Sequence, residues 1–234
     1  MTPALVLVAI PEELRPLRRA LGGRRDVVVA CTGTGAVRAR RATRELIAGL
    51  RPRFVLLTGL AGSLTDRLVI GEVRLAREVH EAGGRVRLPD ASVLERARAA
   101  GLGEAVLVSA PRLVRGREAR ERLRRAAGAP AAADVLVDLE SAACAGAATA
   151  AGVPWLAVRA VSDGVGDELP AWLAEAEDGT GGLDRRQVLV GALWRPTRLP
   201  ALFRLAQRAR VGCGALARVV PAVVASILEP GSRA

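Results

Sequence analysis

The sequence predicts an α/β fold of alternating strands and helices, and three observations carry that expectation. Short continuous apolar runs, beginning with Ala4–Ile10, have the composition of strands buried on both faces. Arginine-studded amphipathic stretches separate them, as parallel βαβ units require. Half of the 234 residues are hydrophobic, enough for one domain with a sizeable core, or a domain with a small appendage.

The elements follow in order. After the first strand, Pro11-Glu12-Glu13 opens a helix to about Leu21, with proline in its first turn. Val27–Ala30 is a second strand, ending in Cys31-Thr32-Gly33-Thr34-Gly35, and an amphipathic helix then runs to Leu50. Pro52 stops that helix, and Phe54–Thr58 forms a third strand running into Gly59-Leu60-Ala61-Gly62-Ser63. Gly71–Ala76 and Ala105–Ser109 read as strands, with a polar, then helical stretch at Glu81–Gly103 between them. Arg115–Ala127 is a strongly basic helix. Val137–Asp163 reads as strand, small-residue helix, turn at Gly152–Pro154 and buried strand. Leu169–Ala176 and a loop at Asp178–Asp184 follow.

The tail has apolar residues at helical spacing with arginines between them, which divides the chain into a main domain, 1–190, and a basic amphipathic helical extension, 191–234, packed on or beside it. Gly212, Gly214, Arg218 and Pro221 interrupt its last apolar piece, Val211–Leu228. A membrane-spanning helix wants about 20 predominantly apolar residues, so the tail is expected to lie on the sheet, on a partner subunit or at a bilayer surface, the first two being favoured.

The formal net charge of +11 comes entirely from arginine, since the chain has no lysine. Asparagine and tyrosine are absent as well, so the bias reads as genome composition rather than a nucleic-acid surface. With 2% aromatic residues the stacking platforms of single-strand binders are missing, while attraction to anionic lipid stays open. Cys31, Cys144 and Cys213 are far apart and lack companion histidines, which fits small core residues in a reducing cytoplasm and implies no metal site. The N-terminal apolar run has no basic residues before it and two glutamates behind it, so it reads as a strand of a cytoplasmic protein rather than a signal peptide.

Open α/β sheets bind ligands beyond the carboxyl ends of their strands. Glu140 and Asp163, each near a strand end, should therefore flank one crevice, with Asp138 beside them. Two carboxylates there suit cleavage of a sugar's anomeric bond, one stabilising positive charge on the sugar and the other protonating the leaving group. Caps for the helices that follow are an equally open role for both. Gly33 and Gly35 sit where backbone amides can cradle an anion. A dinucleotide fingerprint is weak, because its third glycine position is Arg38. Gly59-Leu60-Ala61-Gly62 adds a second glycine-bearing strand end to the same crevice. His80, the single histidine, reads as a surface or loop residue and cannot complete a nucleophilic triad alone.

Five pieces in order resemble the purine nucleoside phosphorylase superfamily and, within it, the methylthioadenosine/S-adenosylhomocysteine nucleosidase branch. They are Ala9–Leu14, Thr32–Gly35, Leu57–Gly62 with Gly71–Val73 after it, Asp138–Ala142 and Val158–Asp163. The resemblance implies a three-layer fold of that type, a central mixed sheet with helices on both faces, plus the C-terminal amphipathic tail. It implies that Glu13 activates the nucleophile, Arg159 orients it, Glu140 grips the ribose hydroxyls, and Asp163, beside Ser162, protonates N7 of the departing purine. Asp138, Leu139, Ser162, Gly59, Leu60, Ala61, Gly62 and Leu113 then line the substrate site. Gly33 and Gly35 form the loop for phosphate or another nucleophile.

Two departures stand out. Leu60 replaces a hydroxyl residue that helps hold the nucleophile, and Leu113 replaces an aromatic placed against the purine. With a shortened loop between His80 and Gly103, they imply a site that is open and apolar on the 5′ side. Together with the arginine-rich tail they are similar to the bacterial hopanoid-associated phosphorylases, which implies release of adenine from adenosylhopane. No metal or organic cofactor is implied, and inorganic phosphate or water is left open as the nucleophile. Peripheral contact with the inner face of an anionic membrane and a homodimer also stay open, and nucleic acid is not an expected partner. The rivals are a soluble nucleosidase for methylthioadenosine, S-adenosylhomocysteine or futalosine, and a non-catalytic nucleoside- or lipid-binding protein.

Overall fold

The computed structural model describes residues 2–81, 84–177, 182 and 194–229. Eight strands form one mixed sheet: β1 (Ala4–Val8), β2 (Val27–Cys31), β3 (Phe54–Ser63), β4 (Val73–Glu81), β5 (Val86–Arg87), β6 (Gly103–Ser109), β7 (Val135–Asp138) and β8 (Trp155–Asp163). Among the described residues six helices surround it: α1 (Pro11–Ala20), α2 (Ala36–Leu50), α3 (Ala91–Arg98), α4 (Arg117–Ala126), α5 (Ser141–Ala150) and α6 (Leu199–Leu228). Short 3-10 turns occupy Ala171–Ala176 and Pro196–Arg198.

The alternation of side chains along β1 builds two layers of core. Ala4, Val6 and Val8 join the cluster under α1, α3 and α6, whereas Leu5 and Leu7 join the cluster under α2 and α5. The mixed sheet with helices on both faces is the architecture expected from the sequence. Alanine, serine and glycine make up most of α5, and such small side chains let it pack closely against α2.

Pairing does more than stack parallel strands. β3 pairs in parallel with β1 and β8, β8 pairs antiparallel with β4, β4 pairs in parallel with β6, β6 in parallel with β7, and β7 returns antiparallel to β3. Those last five strands close a ring. The return is short, Gly62 facing Val137 and Ser63 facing Leu136, so the carboxyl halves of β3 and β7 meet there.

Several sequence expectations change. The third strand extends beyond Thr58 through the glycine-bearing end to Ser63, because β8 pairs along it as far as Gly62 with a register shift at Ala61/Gly62. His80 lies within β4 rather than on a loop, paired with Val108 of β6 and Val86 of β5. Gly212, Gly214 and Pro221 do not interrupt the tail, which is one 30-residue helix. Pro221 deprives it of an amide donor, but the fully buried Val220, Val223 and Val224 hold that stretch on the core. By length and hydropathy α6 is the one described helix that could cross a membrane, yet 44% of its most apolar window is buried against the rest of the fold. The loop expected at Asp178–Asp184, apart from Gly182, and the 190/191 domain boundary lie outside the described residues.

Candidate active site

A cavity of about 230 Å³ opens where β3, β7 and β8 end. Its floor holds Glu13, Asp138, Glu140, Arg159 and Asp163, all buried, and its walls include Ile10, Leu60, Leu113, Val114, Leu139 and Leu169.

Glu13 arrives from the first turn of α1. Pro11 sets that turn, and Glu13 reaches back to the amides of Ala9 (2.9 Å) and Ile10 (3.2 Å), capping the helix in which it lies. Its other oxygen accepts from the amide of Leu60 at 2.8 Å. Burial pushes its carboxyl above the ordinary range, against these hydrogen bonds and the charge of Arg159. Gly59 makes the approach feasible: its φ is +150°, and a Cβ would stand 2.8 Å from Glu13 Oε1 and 3.0 Å from an Arg159 nitrogen.

Asp138 and Arg159 form a buried ion pair. Nε (3.0 Å) and one terminal nitrogen (2.8 Å) of Arg159 both donate to Asp138 Oδ2. Asp138 also accepts from the Ser109 hydroxyl (2.7 Å) and the Ser141 amide (3.2 Å), so it caps α5 and orients Arg159. Arg159 extends a further bond of 2.6 Å to Ser141 Oγ. Burial pulls the arginine's pKa down, but Asp138, Glu13 and Glu140 outweigh it and the net shift is upward. With its oxygens so engaged, Asp138 serves the site through Arg159.

Glu140 does not cap α5, although it stands at the cap position. Its Oε1 accepts from the amide of Gly35 at 2.7 Å, across 105 residues of sequence. Burial and the neighbouring Asp138 raise its pKa from the ordinary 4.5 to about 7. The loop at Gly33 and Gly35, both with φ above +80°, thus gives one amide to a carboxylate, while Thr34 between them lines the cavity.

Asp163 lies between Ser162, whose hydroxyl donates to Oδ1 at 2.6 Å, and Arg120, whose guanidinium pairs with Oδ2. Arg120 is 1% exposed and also donates to the carbonyls of Ser63 (3.1 Å) and Gly164 (2.8 Å). Gly62 leaves room for the pair, since a Cβ there would stand 2.8 Å from Asp163 Oδ2. Leu113 is fixed on the opposite wall by its amide, which donates to Glu177 at 2.7 Å.

All expected site residues therefore meet in or immediately behind one cavity, with Gly33, Gly35 and Gly59 supporting it from outside the lining. Arg120, Ser109 and Ser141 were not anticipated. Arg120 shares the stripe of α4 that carries Leu123 and Ala127 against the core, three and seven residues on, and a cation on an apolar stripe is the signal for it. Among the described residues, no group of three or more acidic, histidine or cysteine side chains could hold a metal ion.

Known proteins share this fold. Solved structures with the same fold include the methylthioadenosine/S-adenosylhomocysteine nucleosidase of Neisseria meningitidis, at TM-score 0.74 and 20% identity over 97% of this chain and 100% of that one. The corresponding Helicobacter pylori nucleosidase matches at TM-score 0.72 and 18% identity, covering 96% and 98%. The futalosine hydrolase of Helicobacter pylori strain 26695 gives the same four values. No curated protein matches the sequence. The family model described as the phosphorylase superfamily matches residues 9–190, which span every residue of the cavity, and the chain belongs to that superfamily.

Proposed function

We propose that the protein cleaves the N-ribosidic bond of a purine nucleoside that carries a 5′ substituent. The observation that carries this reading is the charge of the cavity floor. Four carboxylates, Glu13, Asp138, Glu140 and Asp163, face two guanidiniums, Arg159 and Arg120. Among the described residues this buried floor holds a surplus of negative charge once Glu140 ionises, and such a site is preorganised for the cation that develops as C1′ parts from N9. Glu140 stabilises the ribose as it becomes oxocarbenium-like. Asp163 serves the purine: it enters the step carrying a proton, passes it to N7 as the C1′–N9 bond breaks so that the bond's electrons leave on a neutral base, and is left as the carboxylate that Arg120 holds. Glu13 keeps an acceptor position beyond its three backbone amides and takes the proton of the attacking water.

Two features favour water over phosphate. The Gly35 amide, the best placed donor for an anion, already serves Glu140. The surplus negative charge also disfavours a second anion beside it.

The neighbours named for methylthioadenosine, S-adenosylhomocysteine and futalosine point to a water-soluble nucleoside with a 5′ substituent. The apolar wall of Ile10, Leu60, Leu113, Val114 and Leu169 supports a narrower second reading, in which the substituent is the hopane of adenosylhopane.

Release of free purine from methylthioadenosine, from futalosine and from detergent-dispersed adenosylhopane, each with and without phosphate, tests both. Phosphate-independent release from a soluble nucleoside supports the main reading, and release from adenosylhopane alone moves the assignment to the lipid. No release from any of the three overturns the proposal.

A further inference from the structure

α6 divides into two halves with different surroundings. From Gly212 to Ile227 its buried residues pack on the core. From Leu199 to Val211 it contains no fully buried residue, and its outer face presents Leu199, Pro200, Phe203, Arg204, Ala206, Gln207, Arg210 and Val211. Phe203 is 71% exposed, and Trp194, just before the helix, is 83% exposed. The chain holds two phenylalanines and three tryptophans, so exposing one of each nine residues apart is a concentrated departure from burial. Val69 (64% exposed) continues the apolar surface, because its loop abuts the helix where Gly71 faces Val211. No acidic residue occurs anywhere in the 30 residues of α6, while Arg204 lies to one side of the apolar row and Arg210 ends it one turn beyond Ala206.

We propose that this half of α6 docks the protein on an anionic lipid bilayer, with Phe203, Leu199 and Trp194 entering the headgroup–acyl boundary. Charge selects the occupant. A helix face with an exposed phenylalanine, neighbouring arginines and no acid, preceded by an exposed tryptophan, matches an anionic interface. A second copy of this chain, which carries +11 overall, would bring arginine against arginine. The same helix contacts the active site: Arg208 pairs at 2.7 Å with Asp167, whose other oxygen caps the Gly164 turn beside Asp163. A docked helix would accordingly hold the cavity close to the lipid surface, whichever nucleoside is hydrolysed.

Flotation of the full chain with phosphatidylcholine vesicles containing phosphatidylglycerol, and with pure phosphatidylcholine vesicles, is the direct test. Binding should require the anionic lipid and weaken as salt is raised. Phe203→Asp should abolish it, and Arg204→Ser and Arg210→Ser should each weaken it by about fivefold. Circular dichroism and hydrolysis of a soluble nucleoside should match the parent protein in all three variants. Equal flotation on neutral and anionic vesicles, or binding that survives Phe203→Asp, overturns the proposal. So does a dimer in the parent protein that Phe203→Asp dissolves, since that assigns the face to a second copy.

Discussion

Asp163 and Arg120 show how much of the chemistry rests on single placements. The pair is buried, and removing one partner of such a pair leaves an uncompensated charge that costs about 3–5 kcal/mol. Asp163→Asn should therefore lose both activity and stability, for separable reasons. Turnover should fall by about 10²–10⁴-fold, the worth of a positioned acid, and the unfolding midpoint should drop because Arg120 loses its counter-ion. Adding Arg120→Met removes the stranded cation, so the double variant should regain stability while staying inactive. Activity recovering along with stability would show that Asp163 acts only by holding the fold. Glu140 and Asp163 were legible in the sequence because each lies near a strand end that the α/β topology directs to one crevice, whereas Glu13, in the first turn of α1, and Arg159, in the middle of β8, were named only through the family resemblance. Arg120 was hidden, since an arginine in a helix this basic is by default a solvated one. Its burial depends on Ser63, Gly164 and Asp163, which come from other parts of the chain.

At the scale of elements, the strands and most helices followed from apolar runs, prolines and caps, whereas α6 shows where local reading fails. Glycine and proline count as breakers by propensity, but Gly212 is there for a tertiary reason. A Cβ on it would stand 2.5 Å from Cδ2 of Leu60, so glycine is what lets α6 seat on the back of the cavity wall. Gly212→Ala should push the end of Leu60 into the cavity. KM for the nucleoside should rise severalfold, with a stability loss of about 1 kcal/mol, the lower end of overpacking costs. Trimming Leu60 to alanine in the same protein should restore KM. Enzyme kinetics with thermal unfolding of the parent and the two variants checks this, and an unchanged KM in Gly212→Ala would mean that α6 yields instead of Leu60. Gly212 thus marks packing against the site, whereas a Cβ on Gly214 would meet only Arg218, at 3.8 Å.

The whole molecule inherits the electrostatics of its floor as a dependence on pH. Burial raises the carboxyls of Glu13 and Glu140, the latter from 4.5 to about 7. Between those two values the folded protein binds more protons than the unfolded chain, so folding stability declines as pH rises across that window. The contribution is intact below pH 4.5 and lost by the time Glu140 ionises near pH 7. One pKa unit is about 1.4 kcal/mol, so Glu140 alone can cost up to about 3 kcal/mol at pH 8. Glu140→Gln keeps an acceptor for the Gly35 amide and never ionises. It should be less active than the parent yet more stable at pH 8, with the difference shrinking toward pH 5. Urea midpoints at the two pH values measure this directly. If the variant is no more stable at pH 8, the burial of Glu140 is not a cost in the free enzyme. If it is more stable, the charge that burdens the empty fold is the charge that a cationic transition state neutralises, and stability is exchanged for catalysis at one carboxylate.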